Sequence, residues 1–312
     1  NSNIKDRSQS KSDLYVSLTP SYYSYIKISE GCSNFCSYCT IPKIRGAYKS
    51  RSIEDIGSEI EEKVSNGLKE AILVAEDTTL WGVDFYGKPS LNKLLEELAR
   101  IKGLEWIRIM YAYPSRIDEK LIEIISQSKN ICNYLDIPLQ HVSSDILQGM
   151  NRTYTKKDLD KLFELIKVAI PDIALRTSLI LGFPGEKNSD FLELLSFFMK
   201  NYFEHLGCFL YSDEKGTASF NLANKVKATT GEMRIDKLMK QQFELVTINN
   251  QRMIGKTFKV IYEGDAVARS FREAPEIDSC IYLSNVENLI RGQFYQAEIT
   301  GIQGYDLVGS PI

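Results

Sequence analysis

No stretch of this chain approaches the roughly 20 consecutive apolar residues needed to span a bilayer. The opening residues, Asn1 to Arg7, also lack the apolar core of a secretory signal. An excess of basic charge is missing as well. Lys and Arg number 38 against 41 Asp and Glu, for a net charge of −3 and an isoelectric point near 5.7. A main partner of duplex nucleic acid usually leaves a basic footprint, so this balance points to a small molecule or a basic protein. There is no internal repeat and no long low-complexity tract. With 43% hydrophobic and 25% charged residues over a length of 312, the expectation is a soluble globular chain with one large unit and a smaller one. The chain opens on Asn1 rather than Met and stays polar to about Leu14, from which a further N-terminal portion is expected upstream.

Three of the six cysteines fall within eight residues, Cys32, Cys36 and Cys39. Three ligands cannot fill a tetrahedral zinc site, and the trio lies too close together to staple distant parts of a fold. Three thiolates do suit a 4Fe–4S cluster with one iron left free of protein ligands. A small molecule can be chelated at that iron and given an electron. Clustered thiolates without a signal sequence point to the reducing cytoplasm.

The cysteine loop follows the apolar run 25–29. Ser52 reads as the N-cap of a helix with the periodic face Ile53, Ile56, Ile60 and Val64. Strands are predicted at 71–75, 106–110, 134–137, 174–181 and 206–211. Helices are predicted at 91–101 (closed by Gly103), 119–126, 144–150, 157–169 and 190–201. Six strand–helix alternations predict a parallel sheet with right-handed crossovers, an α/β partial (β/α)6 barrel. In such folds the chemistry sits at the C-terminal ends of the strands. Each motif falls there: the cysteines, Glu76-Asp77, Gln140-His141 and the turn Gly182 to Gly185. A long helix at 232–254 leads to five short strands between Phe258 and Val308, a small OB-like β-barrel. Arg45 and Arg51 are equally readable as contacts to an anionic ligand or as solvated charges at a helix start.

The loop Ile28-Ser29-Glu30-Gly31-Cys32, with Tyr38 as the aromatic before the last cysteine, resembles the radical S-adenosylmethionine enzymes. Together with Arg176 to Glu186 and the C-terminal barrel, it resembles their radical methylthiotransferase family, whose final module is called TRAM. Ala274 to Asp278, Leu135 to His141, Gly207 to Ser212 and Tyr305 to Ser310 are similar to the RimO branch, which modifies the twelfth small-subunit ribosomal protein. The implied domains are a linker at 1–20, a radical S-adenosylmethionine domain at 21–228, a connecting helix at 229–254 and a TRAM barrel at 255–312. Family members carry a further N-terminal domain in which three more cysteines bind a second 4Fe–4S cluster. Cys132, Cys208 and Cys280 are expected to be buried core thiols instead.

By this resemblance Cys32, Cys36 and Cys39 hold the cluster, which chelates S-adenosylmethionine. Reduction yields a 5′-deoxyadenosyl radical that takes hydrogen from the β-carbon of an aspartate, and the second cluster delivers a methylated sulfur there. Cofactor contacts are expected from Tyr38 and from Glu76, the latter to the cofactor's ammonium. Arg176 is expected to meet the cofactor's carboxylate, with an internal salt bridge nearly as well supported. Gly182 and Gly185 permit close backbone approach or simply shape a turn, and His141 reads as a structural histidine. The implied partners are the ribosomal protein and an electron donor such as flavodoxin or ferredoxin, with no membrane. RNA binding is not expected to dominate. The alternatives are a tRNA methylthiotransferase acting beside the anticodon and a non-catalytic RNA- or ribosome-binding fragment. Between Gln251 and Ile312, six Lys and Arg face eight Asp and Glu. This balance favours the basic ribosomal protein over a phosphate backbone, with Glu273, Glu276 and Asp278 expected on one exposed loop that meets it.

Overall fold

The computed structural model describes residues 19–200 and 202–312, so nearly all of the linker expected at 1–20 lies outside the described residues. Six strands form one sheet: β1 Tyr23–Lys27, β2 Glu70–Val74, β3 Trp106–Ile109, β4 Ile131–Asp136, β5 Ala174–Leu181 and β6 His205–Leu210. They pair in sequence order and every pairing is parallel, leaving β1 and β6 as the two edges of an open half-barrel. The predicted α/β architecture is thus the observed one.

Helices α1 Ile53–Ser65, α2 Leu91–Leu98, α3 Glu119–Gln127, α4 Lys156–Ala169 and α5 Asn188–Phe198 make the crossovers. Their local signals are plain. The Asp55 amide donates to Ser52 Oγ at 3.1 Å, the expected N-cap. In α2, Leu91, Leu94, Leu95 and Leu98 repeat at helical spacing and are all buried. That helix stops at Leu98 rather than running to 101, with Ala99 as its cap, and Gly103 (φ +87°) occupies the turn beyond. No helix among the described residues is long and apolar enough to cross a membrane.

The inside of the half-barrel is layered. Because strand side chains alternate, Ala174, Arg176, Ser178 and Ile180 of β5 share one face. At the N-terminal ends of the strands, Tyr22, Tyr23, Ile72, Trp106, Cys132, Tyr134 and Ala174 pack with Ile261 and Ala274 from the C-terminal module. That module follows α6 Ala228–Gln251. Its strands β7 Thr257–Gly264, β8 Val267–Arg269, β9 Ile281–Leu283, β10 Phe294–Gln303 and β11 Asp306–Pro311 close into a barrel of order β8-β9-β11-β10-β7. Close approach lets α6 lie against the end of β5: a Cβ on Gly231 would come within 3.6 Å of the Gly182 Cα.

Interleaved with these apolar side chains, in register with Tyr23, Ile72 and Trp106, is a set of buried charges. Glu70, fully buried, accepts from Arg108 Nε at 2.7 Å and from Arg269 at 2.8 Å. Arg108 also donates to the Phe271 carbonyl (2.7 Å), and Arg269 to Glu263 (2.9 Å) and the Glu273 carbonyl (3.0 Å). Asp278 accepts from Arg176 (3.1 Å), Tyr134 Oη (2.7 Å) and the Ala274 amide (2.9 Å).

These contacts correct the expected exposed acidic loop. Glu273 is buried and accepts from the Ser270 amide and hydroxyl at 2.8 and 2.7 Å. The Asp278 side chain is fully buried, and Glu276, although exposed, accepts from Tyr23 Oη at 2.9 Å. Residues 270–278 form the seam between the barrels, and their acids are used up in holding it.

Breaking a buried ion pair from one side strands the other charge. Glu70→Gln leaves two buried guanidiniums without their shared carboxylate and should lower unfolding stability by about 3–5 kcal/mol, measured by denaturant unfolding. A loss below about 1 kcal/mol would show that the triad is not what joins the modules.

Candidate active site

At the C-terminal ends of the strands the half-barrel opens into a cavity of about 800 Å³. Cys32, Cys36 and Cys39 line it, together with Tyr38, Glu76, Arg152 and Arg176. The loop carrying the cysteines needs Gly31 (φ +72°), because a Cβ there would collide with the Gly46 and Ala47 carbonyl oxygens. The segment 149–152, after a short helix Ser144–Gly149, grips the loop from outside. Ser37 donates its amide to the Met150 carbonyl (3.0 Å) and its hydroxyl to the Gly149 carbonyl (2.7 Å). Asn151 donates to the Phe35 carbonyl at 2.8 Å and Arg152 to Tyr38 Oη at 2.9 Å. A second brace runs through Asn34, which donates to Asp77 at 2.8 Å and accepts from Arg116 at 2.7 Å, while Arg116 also pairs with Asp77.

All three cysteines are free thiols. Burial pushes Cys32 and Cys39 above the ordinary thiol value, and the charge of Arg152 pulls back on Cys39. Among the described residues, no three His, Cys, Asp or Glu side chains are grouped so as to hold a metal ion. In a cluster each thiolate serves a different iron, so the relevant features are the soft donor set and its place on one cavity wall. Both suit an iron–sulfur cluster.

The other expected contacts divide. Glu76 lines the cavity, and its Oε2 is buried with no hydrogen-bond partner. Such an oxygen is costly unless a donor arrives, which suits the ammonium of a bound ligand. Tyr38 lines the cavity with its hydroxyl held by Arg152. Arg176 lines it too, but is engaged by Asp278 at 3.1 Å and Asp136 at 3.6 Å, the internal salt bridge of the second reading. Burial pushes Asp136 up to about 6, against the pull of Arg176.

Gly182 is not among the lining residues. Its amide and that of Phe183 donate to Glu186, and its Cα backs onto Gly231. The Gly185 amide donates to the Asn224 carbonyl at 2.9 Å. For both glycines the turn reading is the one these contacts describe. Arg45 reaches Glu30 at 3.4 Å, and Arg51 binds Asp55 (2.7 Å), Glu59 (2.8 Å) and the Lys27 carbonyl (2.7 Å). His141 is fully buried, accepts from the Ser143 amide at 3.0 Å and is pushed by burial down to about 4. Of the other cysteines only Cys132 is a buried core thiol; Cys208 and Cys280 are half-buried, and Cys280 precedes β9 rather than lying on it. Sequence reasoning missed Arg152, whose one signal was an arginine just past the end of a helix, beside Tyr154.

An open parallel half-barrel with a three-cysteine loop at its mouth, stoppered by a small closed barrel, defines a class. Residues 26–198 match the radical SAM superfamily and residues 254–312 the TRAM domain, so the chain is a radical SAM protein with a TRAM module. It is 45% identical over 300 residues to the ribosomal protein uS12 methylthiotransferase RimO of Clostridioides difficile, covering 95% of this chain and 67% of the relative. To the RimO of Clostridium acetobutylicum it is 44% identical over 311 residues, covering 98% and 70%. The chain belongs to the RimO family of methylthiotransferases, and it spans about two thirds of the length of these relatives.

Solved structures show the same fold at low identity. The radical S-adenosylmethionine methyltransferase TsrM of Kitasatospora setae, with tryptophan and a SAM analogue bound, superposes with a TM-score of 0.52 at 16% identity, covering 87% of this chain and 45% of that one. Coproporphyrinogen III oxidase of Escherichia coli gives 0.50 at 13% identity, covering 89% and 67%.

A thiol held protonated must lose its proton to bind iron. Since Cys32 and Cys39 lie above the ordinary thiol value, cluster loading at limiting iron and sulfide should climb as pH rises from 7 to 9. Iron content per chain reads this out, and a flat profile would show that deprotonation of these thiols does not limit loading.

Proposed function

We propose that this chain is the radical-generating and substrate-holding part of a methylthiotransferase that places a methylthio group on the β-carbon of an aspartate in ribosomal protein uS12. The observation that carries the reading is the convergence on one cavity of three free thiols and a buried carboxylate oxygen with no partner. Cys32, Cys36 and Cys39 would hold a 4Fe–4S cluster. Bound there, the cluster and S-adenosylmethionine supply one-electron chemistry for removing hydrogen from an unactivated carbon.

The chain's own residues do the rest. Glu76 Oε2 accepts from the cofactor's ammonium, which meets its missing hydrogen bond. Tyr38 walls the cavity beside the thiols. Arg176, fixed by two carboxylates, orients a ligand carboxylate with its remaining N–H groups. Gly182 shapes the rim by letting α6 close on β5. The half-barrel and the TRAM stopper exclude water from the floor, protecting a reactive species from quenching. A second, sulfur-delivering cluster is assigned to the part of the relatives' length that lies beyond this chain. The electron would come from a flavodoxin or ferredoxin in the cytoplasm. The names of the relatives favour uS12 over the tRNA alternative.

Anaerobic reconstitution should load close to one cluster per chain, and Ala at Cys32, Cys36 or Cys39 should abolish it. Cys132→Ala and Cys280→Ala should keep their iron. The loaded chain should form 5′-deoxyadenosine from S-adenosylmethionine, with Glu76→Gln weakening cofactor binding roughly tenfold, the scale of one charge-assisted hydrogen bond. Equal iron in all the cysteine variants would sink the site assignment.

A further inference from the structure

Three cations line the cavity, and two of them are neutralised. Lys27 pairs with Glu30, and Arg176 sits between Asp136 and Asp278. The third, Arg152, forms no ion pair with any described residue. One of its terminal nitrogens donates to Tyr38 Oη at 2.9 Å, and its guanidinium lies over the rings of Tyr113 (4.8 Å) and Tyr154 (5.9 Å). Its Nε is buried and has no hydrogen-bond partner.

A guanidinium out of water without a counter-anion is expensive, and aromatic faces offset only part of that cost. Of the carboxylates lining the cavity, Asp77 is taken by Arg116, Asn34 and Thr79, and neither Glu76 nor Glu214 forms an ion pair with Arg152. What Arg152 does face is the cysteine loop. It holds the hydroxyl of Tyr38, the residue just before Cys39, and it belongs to the 149–152 segment that clasps the loop from Phe35 to Tyr38.

We infer that Arg152 is an electrostatic positioning residue for the thiolate-held cluster, with the negative charge of the loaded loop as its counter-ion. The inference rests on the cluster reading above and goes beyond it. Iron–sulfur potentials follow net charge, hydrogen bonding and exposure, and a cation in a low-dielectric wall acts strongly on a charge beside it. Arg152 therefore favours the more negative, reduced form and makes the cluster easier to reduce. Tyr38 fixes where that cation sits.

The test is an anaerobic redox titration of the reconstituted chain, followed by electron paramagnetic resonance, with iron content measured on the same samples. Arg152→Gln should shift the midpoint potential downwards. Arg152→Lys, which keeps the charge in a different shape, should stay near wild type, and Tyr38→Phe, which loses only the hydrogen bond, should shift less than Arg152→Gln. A glutamine variant that loads a full cluster at the wild-type potential overturns the inference and leaves the cluster reading intact. A lysine variant that shifts as far as glutamine also overturns it, because charge would not be the cause. If glutamine prevents loading while lysine loads at the wild-type potential, the inference is supported. Loss of iron from both would make Arg152 a packing residue and overturn it. Failure of the wild-type chain to load iron would instead count against the cluster reading.

Discussion

Buried charge must be paired, and this constraint ties the two halves of the molecule together. Glu70 begins the second strand of the sheet, yet one of its two guanidinium partners, Arg269, lies 199 residues away in the TRAM barrel. Arg176 stands mid-strand in the sheet, yet its nearer carboxylate, Asp278, belongs to the loop at the seam. Removed from its partner module, Glu70 would keep only Arg108, Arg176 only Asp136 and Arg269 only Glu263, and the loss of a buried partner costs several kcal/mol. The ionic layer is thus a lock between modules, and one of its members, Arg176, also lines the cavity. Everything above it, from the unpartnered oxygen of Glu76 to the thiols at the mouth, is arranged over a base that only the complete pair of modules provides.

The same layer explains why the cavity is chemically uneven. At the bottom every charge has a partner and is fixed. Towards the top the partners run out, leaving Glu76 Oε2 and Arg152 Nε without hydrogen bonds inside the protein. Proteins tolerate such atoms where a ligand completes them. Of the buried atoms left without a hydrogen bond, Glu76 Oε2 and Arg152 Nε belong to residues that line the cavity beside the thiols, where a ligand could complete them.

Much of this was legible in the sequence. Apolar runs such as 71–75 announce strands buried on both faces, and the leucines of α2 announce a helix against the sheet, because burial period is a local property. The cysteine spacing announces its chemistry for the same reason. What stayed hidden was pairing at long range. Glu273, Glu276 and Asp278 read as a solvated acidic loop because a charge count does not show that Ser270, Tyr23 and Arg176 are waiting for them. Arg176 read as a cofactor contact or an internal salt bridge, and its partners Asp136 and Asp278, 40 and 102 residues away in sequence, could not be picked out from the local text. Gly182 sits beside the expected motif but faces Gly231 of a helix 49 residues on, a contact with no trace in the local text. Arg152 was missed because an arginine without a partner looks, in sequence, like one with many.

The stopper also has a consequence in time. Chains are made from the N-terminus, so the six strands and the cysteine loop leave the ribosome before the segment that floors their cavity. Until Arg269 and Asp278 dock, Glu70 has only Arg108 and Arg176 only Asp136 as an ionic partner, and the apolar side chains at the N-terminal ends of the strands lack their cover. Docking of the TRAM barrel therefore completes the ionic and apolar packing beneath the cavity, and side chains late in the sequence fix those of strands made much earlier.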